Sequence, residues 1–249
     1  MTSDATRPSN APWPMHRVSY SETDPARIPP LLFPAEIVLE QLDPALASVA
    51  ELDRAELSLV AHALDIRQRE FAAGRVCARR ALLRLGAPAT ALLAEPDRSP
   101  AWPPGIAGSI SHSGAACGAA VARRDTVAGI GFDVEPATAL PPDVWDTVLT
   151  DAERRRLGDF PEPDRSILAR LVFSAKEAFY KCYRSAGGGW LDFHDLDVRL
   201  TPASDVMEVT ARKRLWEGAP RVDGRYALTS QFIFTAFTLA PNAIVTGAR

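Results

Sequence analysis

Cysteine is scarce in this sequence, and its placement argues against two kinds of site. The 249 residues include three cysteines, Cys77, Cys117 and Cys182, which lie far apart and form no CxxC pair. An odd number of cysteines at distant positions argues against a disulfide framework and against a structural zinc site. It is typical of a protein from a reducing cytoplasm.

Long apolar runs are missing as well. No run reaches the roughly 18 residues that a membrane span needs, and the opening segment MTSDATRPSNAP lacks the apolar core of an export signal. The Walker pattern GxxxxGK[ST] occurs nowhere, which excludes a P-loop enzyme. A net charge of −3 argues against a protein that binds nucleic acid with its whole surface. We therefore expect a cytoplasmic protein with neither a membrane nor a nucleic acid as its partner.

What the chain does contain is an ordinary globular composition, with 47% apolar and 24% charged residues. Apolar residues recur with a helical period over residues 53–85 and 150–185, and strand-like segments follow each helical region. These patterns predict an α+β fold with two pseudo-symmetric halves, each with a helix packed on a small, mostly antiparallel sheet. The predicted divisions are a flexible tail at residues 1–14, an N-terminal half at 15–128 and a C-terminal half at 129–249, the two halves forming one unit.

The segment GIGFDVEP carries two carboxylates on one face of a predicted strand. Side chains alternate along a strand, so Ile130, Phe132 and Val134 point one way while Asp133 and Glu135 point the other. Magnesium needs only one or two carboxylates and completes its shell with water and phosphate oxygens, so such a pair suits it. The alternative is a half-buried strand with a solvated acidic face, and this segment alone does not decide between them.

The segment FSAKEAFYK places charged and aromatic residues on one stripe of the second predicted helix. Phe173, Lys176, Glu177, Tyr180 and Lys181 recur three or four residues apart. A carboxylate flanked by two lysines can act as a metal ligand or general base, with the ammonium groups taking phosphate charge. The alternative is an ordinary surface ion pair between Glu177 and Lys181. The two aromatic residues on the same stripe argue against this alternative.

A helix rich in arginine is predicted in the N-terminal half. Residues 66–85 hold six arginines and one glutamate, and Arg67, Arg75 and Arg79 fall on one line through Phe71. The planar fork of arginine suits a tightly bound anion such as a phosphomonoester. Two other interpretations stay open: contact with nucleic acid, and a face whose long side chains cover apolar surface while their charges stay in water.

The segment GSISHS holds Ser109, Ser111 and His112 on a predicted strand. Neighbouring residues on a strand point to opposite faces, so Ser111 and His112 make a poor nucleophile and base pair, and no GxSxG elbow surrounds them. The small residues around His112 let a ligand approach, so we expect this histidine to contact an anion. A purely structural histidine is the alternative.

Together, GSISHS, GIGFDVEP and FSAKEAFYK resemble, in order and separation, the motifs of the 4′-phosphopantetheinyl transferases of the surfactin and enterobactin synthetase type. FAAGRVCARRAL and RSPAWPPG resemble the enterobactin-type branch in particular, and the resemblance covers residues 30–240. It implies an enzyme that transfers the 4′-phosphopantetheine arm of coenzyme A to a serine of an acyl or peptidyl carrier protein. Adenosine 3′,5′-bisphosphate would leave, and the two halves would form one catalytic unit.

The resemblance also implies roles for single residues. Magnesium, or manganese in its place, would be held by Asp133, Glu135 and Glu177, with coordination of Glu135 through water left open. Glu177 would be the base, directly or through a water, and Asp133 and Lys181 would complete the catalytic set. Coenzyme A would be the co-substrate, and the residues expected at its phosphates are Arg67, Arg75, Arg98, Ser111, His112, Lys176 and Lys181.

Departures from the family's pattern are small. Phe173 replaces the tryptophan that many members carry ahead of KE, and Phe132 lies where many have isoleucine, so both positions stay apolar. Two fused halves would let a monomer suffice. Carrier proteins are typically acidic, so we expect a basic patch at residues 212–214, in the segment ARKRLW, to steer them. Two alternative functions stay open: another magnesium-dependent phosphotransferase or nuclease, and a non-catalytic nucleic-acid binder.

Overall fold

The computed structural model describes residues 24–201, 204–212, 215, 221–241 and 243. Its helices are α1 (Arg54–Ser58), α2 (Asp65–Arg84), α3 (Trp145–Val148), α4 (Asp151–Leu157) and α5 (Asp164–Ser185). Its strands are β1 (Val38–Gln41), β2 (Ile106–Ser113), β3 (Ala116–Arg123), β4 (Gly129–Pro136), β5 (Leu196–Leu200), β6 (Val206–Ala211), β7 (Arg221–Leu228) and β8 (Phe232–Leu239). The tail predicted at residues 1–14 lies outside the described residues.

The strands form two antiparallel sheets, in the orders β1-β3-β2 and β4-β8-β7-β6-β5. Helix α2 packs on the first sheet and α5 on the second. This arrangement confirms the predicted α+β class, with helices on two antiparallel sheets. The boundary at residues 128 and 129 stays a prediction. Within the described part of the chain, no helix is long and apolar enough to cross a membrane.

Helix α2 can lie close to its sheet because its buried face is made of small residues. A Cβ atom at Gly74 would come 2.8 Å from Cγ2 of Ile110, so glycine is needed for this close approach. The helix ends at Gly86, whose φ of 71° is the left-handed conformation that glycine favours. The other buried apolar residues of α2 are Ala72, Ala73, Val76, Cys77, Ala78, Ala81 and Leu82.

Glycines also let α5 lie directly on β4. A Cβ atom at Gly131 would overlap the backbone oxygen of Ala178, and one at Gly129 would overlap that of Cys182. The glycines of GIGFDVEP therefore bring the backbone of β4 against α5 and place the polar side chains that follow on β4 beside this helix.

The two sheets meet between β2 and β4, where serine hydroxyls join the strands. The backbone N–H of Phe132 donates to Oγ of Ser109 at 3.1 Å, and that of Val134 donates to Oγ of Ser111 at 3.2 Å. The alternate residues of GSISHS thus tie the first sheet to β4. This seam places Ser111 next to Asp133.

Candidate active site

Asp133 is the centre of the site, and its carboxylate is almost fully buried at 7% exposure. Its Oδ1 accepts from Nζ of Lys181 at 2.6 Å and from Oγ of Ser111 at 3.1 Å. Its Oδ2 accepts from Oγ of Ser174 at 2.8 Å. Three elements, β2, β4 and α5, therefore meet at one carboxylate. Burying a carboxylate is costly without hydrogen bonds and a nearby cation, and Asp133 has both kinds of partner.

The stripe of α5 that faces Asp133 and Glu135 consists of Arg170, Ser174, Glu177 and Lys181, spaced by four, three and four residues. Of the predicted stripe, Glu177 and Lys181 belong to this set and Tyr180 lines the same cavity as they do, which leaves Phe173 and Lys176 as the two differences. The ring of Phe173 packs on that of Phe193, with centroids 5.7 Å apart, and does not join the polar set.

The second difference is Lys176, whose position does not support the predicted phosphate contact. The side chain is fully buried, and its Nζ donates to Oε2 of Glu153 at 2.7 Å and to the backbone oxygens of Val148 and Phe193 at 2.8 and 3.0 Å. These three acceptors use all three donors of the ammonium group. Burial lowers the pKa of Lys176, while Glu153 opposes the change. Lys176 therefore joins α5 to its neighbours and does not reach the cleft.

Glu135 has a partner that the sequence did not indicate. Its Oε2 accepts from NH1 of Arg170 at 2.9 Å, and Arg170 also donates to the backbone oxygens of Thr138 and Ala139. Burial raises the pKa of Glu135, the Asp133 charge raises it further, and Arg170 lowers it. Arg170 lies one turn before Ser174, so a stripe drawn through Ser174 would have identified it.

Glu177 and Lys181 line a cleft of about 940 Å³ between α5, β2 and residues 95–102. Burial raises the pKa of Glu177, and so does the charge of Asp133, against the effect of Lys181. A carboxylate with a raised pKa accepts a proton more readily, which suits a general base. The other charged residues that line this cleft are Arg67, Glu95, Asp97, Arg98, Arg124 and Arg184.

Arg67 and His112 meet at the side of this cleft, as the sequence suggested for two anion-binding residues. NH1 of Arg67 donates to Nε2 of His112 at 2.7 Å, so the ring proton resides on Nδ1, which lies 3.4 Å from Oε2 of Glu70. Burial lowers the pKa of His112, Arg67 lowers it further, and Glu70 opposes them. Glu70, which the sequence motifs did not indicate, therefore holds the ring in place.

Arg75 does not line the cleft, so the predicted phosphate contact is not supported by its position. It is 6% exposed, its Nε donates to the backbone oxygen of Leu92 at 2.8 Å, and its guanidinium lies 4.3 Å from the ring centroid of Phe71. Burial lowers its pKa to about 10. Arg79 also has a separate partner, Glu56, at 2.6 Å. Of the three arginines on the predicted line, Arg67 lines the cleft, and Arg75 and Arg79 have other partners.

The carboxylates offer oxygen donors of the kind that magnesium prefers. Asp133 raises the pKa of both Glu135 and Glu177, so its charge repels each of them, and a cation would offset that repulsion. Among the described residues, no group of three or more histidine, cysteine, aspartate or glutamate side chains is arranged as a metal site. The metal-binding roles of these three residues stay predictions.

A buried carboxylate beside a cleft lined by arginine and lysine is typical of enzymes that act on phosphate-bearing substrates. Known proteins agree with this class. The family model "4'-phosphopantetheinyl transferase N-terminal domain" matches residues 55–122, and the model "4'-phosphopantetheinyl transferase superfamily" matches residues 129–229.

Three relatives show the extent of the similarity. The 4'-phosphopantetheinyl transferase Svp of Streptomyces mobaraensis is 38% identical over 196 residues, which are 76% of this chain and 78% of that protein. The 4'-phosphopantetheinyl transferase PptT of Mycobacterium tuberculosis is 34% identical over 74% of this chain and 84% of its own. Enterobactin synthase component D of Escherichia coli K12 is 35% identical over 53% of this chain and 63% of its own. The chain belongs to the 4′-phosphopantetheinyl transferase superfamily, which confirms the resemblance inferred from its motifs.

Proposed function

We propose that this protein transfers the 4′-phosphopantetheine group of coenzyme A to a serine of an apo acyl or peptidyl carrier protein. The reaction depends on magnesium and releases adenosine 3′,5′-bisphosphate. One observation supports this most strongly: Glu177 and Lys181 line a cleft that also holds Arg67 and Arg98, and Lys181 bonds to the buried Asp133. Base, carboxylate and phosphate-binding cations thus belong to one site.

The chemistry needs one base and several positive charges. The serine oxygen forms a bond to the β-phosphorus of coenzyme A, the bond from that phosphorus to the bridging oxygen breaks, and the serine proton must leave. Glu177 takes that proton, directly or through a water, because its raised pKa makes it a better acceptor than an ordinary carboxylate. Phosphoryl transfer otherwise depends on positioning and charge neutralisation.

The cations of the cleft neutralise charge on two parts of coenzyme A, the pyrophosphate and the 3′-phosphate. Lys181 lies at Asp133 and takes charge on the pyrophosphate as the bisphosphate leaves. Arg67, together with His112 and Arg98, takes the 3′-phosphate of the adenosine end. Ser111 belongs to the first of these regions, because its hydroxyl donates to Asp133 and accepts from Nζ of Lys181 at 3.2 Å.

Magnesium, or manganese, would be held by Asp133 and Glu177, with Glu135 contributing directly or through water. When bound, the ion supplies positive charge at the pyrophosphate. Arg170 already neutralises Glu135 in part, and Lys181 does the same for Asp133. Because the carboxylates alone would repel a pyrophosphate, we expect no turnover in excess chelator. Full activity in chelator would contradict the metal requirement.

The partners beyond coenzyme A are carrier proteins, and the breadth of the family leaves polyketide, nonribosomal peptide and siderophore pathways as candidates. Docking at residues 212–214 stays a prediction, since Lys213 and Arg214 lie outside the described residues. The cytoplasmic location and a monomeric state also stay predictions.

The test of this function is to follow adenosine 3′,5′-bisphosphate by chromatography. Enzyme, coenzyme A, magnesium and an apo carrier protein are mixed, and each component is omitted in turn. We expect the bisphosphate only in the complete mixture, and none when the acceptor serine of the carrier is replaced by alanine. Release without a carrier would indicate a hydrolase, and degradation of an added nucleic acid would indicate the nuclease alternative.

A further inference from the structure

One lip of the cleft is a short loop, residues 94–100, with a closely defined backbone. Ala94 and Pro100 form a β-bridge, and the N–H of Glu95 donates to the oxygen of Ser99 at 2.8 Å. Among the described residues, Arg98 is the non-glycine residue with a positive φ, 67°. A left-handed arginine is unusual, and such a residue persists where its surroundings hold it.

An ion pair attaches this loop to α5 across the cleft. Both Nε and NH2 of Arg184 donate to Oδ2 of Asp97, the first at 3.0 Å. The other oxygen of Asp97 accepts from the N–H and the hydroxyl of Ser99 at 3.0 and 2.6 Å. The hydrogen bond from the Ser99 hydroxyl, with that from Arg184, lowers the pKa of Asp97 to about 2, while burial opposes the change. Asp97 is therefore ionised throughout the neutral range.

Arg184 has a third contact that adds to this attachment. Its NH1 donates to the backbone oxygen of Gly188, in the turn that follows α5. One guanidinium thus connects the loop, the last turn of α5 and the chain after it. Two separated donors on a planar group fix orientation as well as distance.

We propose that the Asp97–Arg184 ion pair positions the 94–100 loop so that Arg98 meets the phosphates of coenzyme A. This inference rests on the proposed function. Asp97, Arg98 and Arg184 all line the same cleft as Glu177 and Lys181. The pair acts through Arg98 and the shape of the cleft, and it takes no part in the reaction at phosphorus. Its loss should weaken coenzyme A binding and leave the chemical step intact.

The experiment measures the affinity for coenzyme A by calorimetry and the steady-state kinetics of carrier modification in four variants. Asp97→Asn and Arg184→Gln each remove the charge pair, and the double variant removes both partners. Asp97→Glu keeps the charge. The matched control is Asp205→Asn, which breaks another partly exposed ion pair, to Arg225, away from the residues that line the cleft.

We expect Asp97→Asn and Arg184→Gln each to weaken coenzyme A binding by about fivefold, the upper range for a partly exposed pair. The KM for coenzyme A should rise equally, with kcat and the melting temperature unchanged. The double variant should match the single ones because both changes remove one interaction. Asp97→Glu should stay close to the wild type, and Asp205→Asn should not differ from it.

Unchanged affinity in Asp97→Asn would overturn the inference, and so would an effect that appears only as a lower kcat and melting temperature. Additive losses in the double variant would show two independent roles and would also overturn it. Calorimetry needs no carrier protein, so it tests the pair by itself. A wild type that binds coenzyme A but modifies no carrier would instead contradict the proposed function.

Discussion

Arg67 and Arg75 lie on the same helix but in different environments. One substrate analogue can distinguish the roles of the two side chains. The side chain of Arg67 is 54% exposed and contacts His112 beside the cleft, whereas Arg75 is buried against Leu92 and Phe71. Dephospho-coenzyme A lacks the 3′-phosphate. Arg67→Ala should therefore lower kcat/KM for coenzyme A by about one to two decades and leave the value for the analogue unchanged.

Substitution of Arg75 should have a different effect from substitution of Arg67. Arg75→Met removes a buried guanidinium and its hydrogen bond to Leu92, so it should lower the melting temperature and affect both substrates equally. Arg69, which donates to the oxygen of Ala45 and does not line the cleft, is the control and should keep the preference for coenzyme A. A loss of kcat/KM for coenzyme A but not for dephospho-coenzyme A in Arg75→Met would show that this arginine contacts the 3′-phosphate.

His112 makes the stability depend on pH, and the sign follows from its lowered pKa. Burial, its largest cause, lowers the pKa in the folded state, so the unfolded chain binds the proton more readily. Stability should therefore fall as the pH drops below about 6.5, the ordinary value of histidine, and level off below the folded pKa. Urea unfolding at a series of pH values measures this.

Two variants test that assignment. His112→Gln should lose less stability than the wild type between neutral and mildly acidic pH. His62→Gln replaces an exposed histidine and should behave like the wild type. The same acid dependence in His112→Gln and the wild type would show that other groups cause it.

Helix α5 carries two lysines with different functions, and their variants should separate stability from activity. Lys176→Met would leave Glu153 buried without its cation, which costs about 3–5 kcal/mol of the free energy of unfolding. Lys181 is 30% exposed, and Asp133 keeps its hydrogen bonds from Ser111 and Ser174, so Lys181→Met should cost less stability and remove most turnover. Chemical denaturation and the carrier assay measure the two effects. A stable Lys176→Met protein with impaired coenzyme A binding would contradict the structural role of Lys176.

The same helix shows what its sequence could predict and what it could not. The apolar period correctly predicts its buried face, for Leu168, Leu171 and Phe179 are all buried. It cannot tell which neighbouring polar residue faces the ligand, because α5 is covered on a second side by α4 and the turn at Phe193. Lys176 and Glu177 are adjacent in the sequence, and their separate environments arise from those tertiary contacts.

At the scale of the molecule, the order of helices and strands was enough to predict the α+β class, because strand-like segments follow each helical region. The contacts that assemble the site were not predictable in that way. Ser109 and Ser111 join β2 to β4, and Asp97 meets a residue 87 positions further along the chain, Arg184. Such contacts depend on how the sheets pack, which no local pattern encodes.

The most direct test of the account is the intact mass of a purified apo carrier protein after incubation with the enzyme, coenzyme A and magnesium. We predict that the wild type adds the mass of one phosphopantetheinyl group, and that Asp133→Asn, which keeps the shape of the side chain and its serine contacts, adds almost none while it melts at a similar temperature. A carrier left unmodified by folded wild-type enzyme, or one fully modified by Asp133→Asn, would contradict the account.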